Sequence, residues 1–192
     1  MLRRLLQLYI GLVLYGVSTA LFVHANLGAD PWDVFHLGVA KQLGISFGTV
    51  IILTGAAVLL LWIPIRQMPG LGTVSNVIVL GLAADATLAV LPPLESMVAR
   101  SALLVGAIVL NAIATGMYIG AGFGPGPRDG LMTGLHARTG WSLRGIRTAI
   151  ELSVLLIGWL LGGKFGVGTG IYALSIGPLI QLCLPWFSQP VS

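Results

Sequence analysis

Six apolar stretches, each close to the length of a membrane-crossing helix, decide what this chain can fold into: Leu5 to Asn26, Ile45 to Ile65, Leu71 to Leu91, Ser101 to Gly122, Trp141 to Leu161 and Gly168 to Phe187. A helix spans the hydrocarbon core with about 20 predominantly apolar residues. The runs are continuous Leu, Ile, Val, Ala and Gly, not short alternating segments, so they favour helices over the strands of a β-barrel. Only 8% of the 192 residues are charged, against roughly 25% in an ordinary soluble domain. The fold class is therefore all-α membrane, with no room for a soluble catalytic domain.

The net charge of +4 does not signal a nucleic-acid partner, because Lys and Arg in short membrane loops follow the positive-inside rule. With six spans and the N-terminus inside, Arg3, Arg4, Arg66, Arg128, Arg138, Arg144 and Arg147 are cytoplasmic and Lys41, Arg100 and Lys164 lie outside. With eight crossings, Lys41 and Arg100 exchange places with Arg66 and Arg128, and the score is unchanged. Both arrangements put both termini in the cytoplasm. Cys183 is the single cysteine, which excludes an intrachain disulfide, and His24, His36 and His136 form no metal-ligand motif. The N-terminal run, with Arg3 and Arg4 ahead of it, has the outline of a signal peptide. It also has a counterpart inside the chain, which argues that it is retained.

That counterpart belongs to a duplication. Gly28 and Gly124 stand ninety-six positions apart (28 to 124), and the same offset pairs Pro31 with Pro127, Asp33 with Asp129, Ser46 with Ser142, Gly72 with Gly168 and Thr73 with Thr169 without a gap. Aliphatic coincidences carry no weight in such a chain, but Pro, Asp, Ser and Thr in one register do. Residues 1–96 and 97–192 therefore read as two membrane repeats forming one transmembrane domain, of the kind found in transporters.

Each half reads as a span, a Gly/Pro break, a short helix, and two further spans separated by a Gly-x-Gly-Thr break. The short helices, Pro31 to Leu43 and Pro127 to Thr139, open on Pro and close on Gly44 and Gly140. At 1.5 Å per residue each is only ~20 Å long, too short to cross comfortably. They are expected to be re-entrant or interfacial, giving three spans per half and an inverted repeat. Four crossings per half would give a parallel one.

Ionisable residues inside a span are costly and point to function. Arg144, Arg147 and Glu151 share one helix face, with Arg147 and Glu151 spaced to pair; they read either as a lock for the bundle or as part of a site. Arg147 and Glu151, like Arg128, have no charged counterpart in the first half, which holds Ile51, Gly55 and Trp32 at those positions. Two short-helix N-termini with Asp33 and Asp129, plus Arg128 at a Gly-rich break, suggest a solute site for small anions. Thr73 and Thr169 mark breaks whose amides can add to it. Asp85 and Glu151 are candidates for proton coupling. The competing readings are plain: Asp33 and Asp129 stabilise helix starts, and Asn76 and Asn111 bond between helices.

The motifs GADPWDVFHLG, PGLGTVSN and GPGPRDGL followed by RTGWSLRGIRTAIE resemble the YczE/YitT family of bacterial inner-membrane proteins, in its YczE branch, from about Gly16 to Pro185. The soluble C-terminal domain of YitT-type members is not expected here. The resemblance implies a multi-pass protein of the bacterial inner membrane, often guessed to be a transporter, and carries over no substrate or catalytic residue.

The function expected is a small secondary transporter of a small polar or anionic solute, with proton coupling as an option and no cofactor. The alternative is a non-transporting membrane partner of another protein. Gly116, Gly120, Gly122 and Gly124 suit either intrachain packing or a homodimer. An enzyme is not expected, since no HExxH motif is present, and a GxxxxGK[ST] loop for ATP is absent too.

Overall fold

The structure, a computed structural model, describes residues 1–188. All regular structure in them is helical: α1 (Leu2–Ala25), α2 (Pro31–Leu43), α3 (Phe47–Ile65), α4 (Leu71–Val90), α5 (Met97–Gly120), α6 (Pro127–Thr139), α7 (Leu143–Leu160) and α8 (Val167–Phe187). Five of them, α1, α3, α4, α5 and α8, are long and apolar enough to cross a bilayer, so the chain is a multi-pass membrane protein. α7, the sixth expected span, is 18 residues long but carries Arg144, Arg147 and Glu151, and this charge keeps it out of that set.

The helix ends follow from local chemistry. Asp30 caps α2, its Oδ1 accepting the Asp33 amide hydrogen at 2.7 Å, and Pro31 supplies the first helical residue. Ser46 and Ser142 cap α3 and α7 by accepting from the Thr49 and Gly145 amides, each at 3.1 Å. Gly44 and Gly140 close the short helices at φ 66° and 72°, the left-handed conformation that glycine adopts without strain.

The Gly-x-Gly-Thr breaks behave differently from the expectation that their amides are open to a ligand. The Thr73 and Thr169 hydroxyls accept from Gly70 and Gly166 at 3.1 and 3.2 Å. Gly72 and Gly168 donate to the carbonyls of Phe123 and Leu27, each at 2.8 Å. Both breaks are stitched to the turn preceding a short helix, and these amides are occupied.

Between lipid-immersed helices there is little hydrophobic driving force, so association depends on close packing and hydrogen bonds. Small residues make that packing here. α1 and α5 form the centre and run antiparallel: Gln7 donates to the Met117 carbonyl at 2.9 Å, Gly11 lies against Tyr118, and Asn111 donates to Ser18 at 2.9 Å. α4 runs parallel to α1, with Tyr9 bonded to Ser75, Gly16 against Ala84, and His24 bonded to the Pro92 carbonyl. α8 is likewise parallel to α5, through Gly168 against Leu104, then Gly116 against Cys183, then Gly120 against Phe187.

Around this four-helix centre, α3 descends antiparallel to α4, Gly48 meeting Asp85 and Gly55 meeting Val77. α2 runs parallel to α7, from Phe35 against Gly158 to Gln42 bonded to the Leu161 carbonyl. Residues 26–30 therefore turn back into the bundle after α1, so that α2 returns toward the face on which α1 ended. α6 follows α3 in the same manner, from Gly130 against Trp62 to Arg138 at the Ile65 carbonyl. The starts of α2 and α6 meet inside the bundle.

Candidate functional site

Where the two short helices begin, the bundle holds a cavity of about 340 Å³ to which all eight helices contribute lining residues. Its charged centre is assembled from opposite halves of the sequence. Arg128, the second residue of α6, reaches Asp30 Oδ2 at 3.5 Å and Asp33 Oδ1 at 3.9 Å. Asp33 Oδ1 also lies 3.2 Å from His36 Nδ1, and the guanidinium sits 4.8 Å from the Trp32 ring centroid. A desolvated guanidinium is stabilised by both carboxylate and aromatic faces. The α6 start is itself held by Trp62, whose Nε1 donates to the Pro127 carbonyl at 3.1 Å.

Of the residues singled out from sequence, Arg128, Asp129, Arg147 and Glu151 all line this cavity. Asp129 Oδ2 accepts the Tyr118 hydroxyl at 3.1 Å. Arg147 and Glu151 form the expected pair along α7 at 2.8 Å. Asp33 stands behind the rim, turned to His36 and Arg128. Three others lie apart from the lining: Thr73 and Thr169 hold the helix breaks, and Asp85 accepts from Ser46 Oγ and, at 2.7 Å, from the Gly48 amide. Asp85 thus ties α4 to the positive end of α3. Arg128 is less a free anion receptor than sequence suggests, because two carboxylates already compensate it.

Asp30 escaped the sequence reading as a site residue. Its signal was present, since an acidic residue immediately before a Pro that opens a helix is an N-cap. What sequence lacked was the partner ninety-eight positions away (30 to 128). The aromatic lining from Tyr15, Tyr118 and Tyr172 was hidden similarly, because an aromatic residue in an apolar span is unremarkable until its neighbours are known.

The cavity is closed unequally on its two sides. α3 packs along α4, while α7 makes no comparable contact with α8. At the closed seam, a Cβ on Gly81 would fall 2.5 Å from the Gly48 carbonyl oxygen. Ninety-six positions on, Gly177 has nothing within 4 Å, and Arg144 replaces Gly48. The cavity lining reaches this open seam through Arg147, Glu151, Gly177 and Gln181.

Comparison with known proteins places the chain among relatives of the same length scale. The sequence model described as "Family of unknown function (DUF6198)" matches residues 2–185. An uncharacterized protein of Haemophilus influenzae is 37% identical over 92% of this chain and 81% of its own length. The uncharacterized membrane protein YczE of Bacillus subtilis is 30% identical over 92% of this chain and 83% of its own, in keeping with the resemblance noted from the motifs. The Bacillus subtilis protein YyaS is 23% identical over 92% of this chain and 90% of its own. No solved structure matches the chain.

Proposed function

The chain belongs to the DUF6198 family, and on that premise we propose that it is a small secondary transporter, moving a small polar solute through the central cavity by alternating access. One observation carries this reading: the central cavity, lined from both halves, is shut along α3 and α4 and open along α7 and α8. In transporters built from inverted repeats, the two halves take unequal conformations around a fixed midplane site, and exchanging them moves the opening to the other face.

The helix directions support two inverted units, 1–96 and 97–192. α1 opposes α5, the α1–α4 pair has its match in α5–α8, and the α2–α7 pair has its match in α6–α3. Six spans follow, with α7 as the sixth and its charges turned to the cavity, and α2 and α6 as re-entrant helices. Both ends of the chain then share one face. Arg3, Arg4, Arg66, Arg138 and Arg144 gather on it, against Lys41, Arg100 and Lys164 on the other, which makes it the cytoplasmic face of the inner membrane.

Gly177 offers the test. It lines the open mouth with free space beside it, so Gly177→Leu obstructs the cavity while leaving the packed seams alone. Counterflow of small polar solutes, cationic, zwitterionic, neutral and anionic, is measured in vesicles containing purified protein. The expected result is uptake by the native chain and at least a tenfold loss in Gly177→Leu. Uptake indistinguishable from empty vesicles for every class, with a stable membrane protein co-purifying, favours the accessory-partner alternative.

A further inference from the structure

The charges around the cavity do not balance. Asp30, Asp129 and Glu151 line it and Asp33 stands 3.9 Å from Arg128, so four carboxylates face two guanidinium groups, Arg128 and Arg147. Both arginines are already engaged, Arg128 by Asp30, Asp33 and the Trp32 ring, Arg147 by Glu151. His36 adds a third positive charge only when protonated, which still leaves one carboxylate in excess. Asp129 is the one left over: it receives the Tyr118 hydroxyl and makes no ion pair among the described residues. A charge in a low-dielectric enclosure must be paired or neutralised, and an anion entering here would meet further negative charge.

Two other groups are unfinished. Trp32 Nε1 and Thr115 Oγ1 are buried without a hydrogen-bond partner among the described residues, although both residues are only 6% exposed and both line the cavity. An indole N–H is a donor alone, so what completes it must present an acceptor. Tyr15, Tyr118 and Tyr172 line the same cavity, and aromatic faces attract cations. The Arg128 guanidinium over Trp32 is an example of that pairing within the protein itself.

We infer that the cavity binds a small organic amine carrying a hydrogen-bond acceptor, with its ammonium group at Asp129 among the tyrosine rings and its acceptor at the Trp32 indole N–H. The inference deepens the transport reading and rests on it for the cavity's accessibility. It narrows the solute from the polar or anionic class to cationic amines.

The test uses full-length protein in detergent with four probes: ethanolamine, which has both features; ethylamine, which lacks the acceptor; acetate; and inorganic phosphate. A ligand of the native state raises the melting temperature, here by roughly 5 °C at a hundredfold excess over Kd. Ethanolamine is expected to stabilise most, ethylamine less, and the anions not at all. Asp129→Asn, which is isosteric, is expected to abolish the amine shifts. Trp32→Phe, which keeps a ring under Arg128, is expected to reduce ethanolamine to the level of ethylamine. Either variant retaining the full ethanolamine shift overturns the assignment of its residue to the site. Stabilisation by acetate or phosphate without ethanolamine overturns the amine inference and leaves transport standing. Ethanolamine binding without counterflow of labelled ethanolamine leaves the amine site and removes the transport reading. No shift with any probe overturns the inference, and absence of counterflow for every solute class then removes transport as well.

Discussion

Gly81 and Gly177 stand ninety-six positions apart (81 to 177), the offset of the duplication read in the sequence, and meet opposite surroundings, which makes them a sensitive pair of probes. A methyl group on Gly81 would strike the Gly48 carbonyl and the Ile52 side chain, at 2.5 and 2.7 Å, forcing α3 from α4. Gly81→Ala should therefore cost about 1–3 kcal/mol, as overpacking does. Gly177→Ala meets open space and should be neutral or stabilise by up to about 1 kcal/mol, since Ala is the better helix former. Thermal melts of the two variants check this, and equal destabilisation would deny the asymmetry of the seams. The shared register of these glycines was legible in sequence, but the difference in their surroundings was not. It depends on Arg144 standing where Gly48 stands in the other half, and only the packed structure reveals that the small residue closes a seam. The charged cluster was half legible in the same way. Arg128 and Asp129 stood out as polar groups at a helix break, whereas the compensating Asp30 belonged to another part of the chain.

Among the elements, the short helices were the most readable, because Pro, Asp and Gly mark their ends chemically: the expected bounds 31–43 and 127–139 coincide with α2 and α6. The long helices were blurred at their starts. α5 begins at Met97 instead of Ser101 and α1 at Leu2 instead of Leu5, both taking in arginines. Arg4 can lie within a helix because its long side chain reaches from an apolar stem to a polar partner, donating to the Ala121 carbonyl at 3.0 Å; Arg100 lies within α5 with its Nε buried and without a hydrogen-bond partner among the described residues. α3 and α7 share a serine cap but not its surroundings. Ser46 caps α3 and also donates to Asp85, whereas Ser142 caps α7 alone. Ser142→Ala should cost about 1 kcal/mol, the usual loss of an N-cap. Ser46→Ala should cost about 2 kcal/mol, since it also removes a hydrogen bond to a charged group. Denaturation of both variants in one detergent measures the difference, and equal losses would mean that the Asp85 clamp contributes nothing to the closed seam.

At the scale of the molecule, the cavity lies where the starts of α2 and α6 meet, shut along α3 and α4 and open along α7 and α8, which is the arrangement that supports the proposal of solute passage. The ninety-six-residue register (28 to 124) and the break positions were readable because they rest on paired Pro, Asp, Ser and Thr. The relative direction of the halves was not, since charge counts agree for three or four crossings per half. Contacts such as Gln7 with Met117 set α1 antiparallel to α5, which supports the inverted arrangement proposed. Thr54 lines the cavity near the middle of α3 and suits a direct test. With Cys183→Ala removing the single native thiol, Thr54→Cys is exposed to a membrane-impermeant maleimide in vesicles of each orientation. Alternating access predicts labelling from both faces, faster from the face bearing the chain ends. It also predicts that labelling from the two faces responds in opposite directions when α7 is cross-linked to α8. Labelling from one face alone, unchanged by the cross-link, would contradict it.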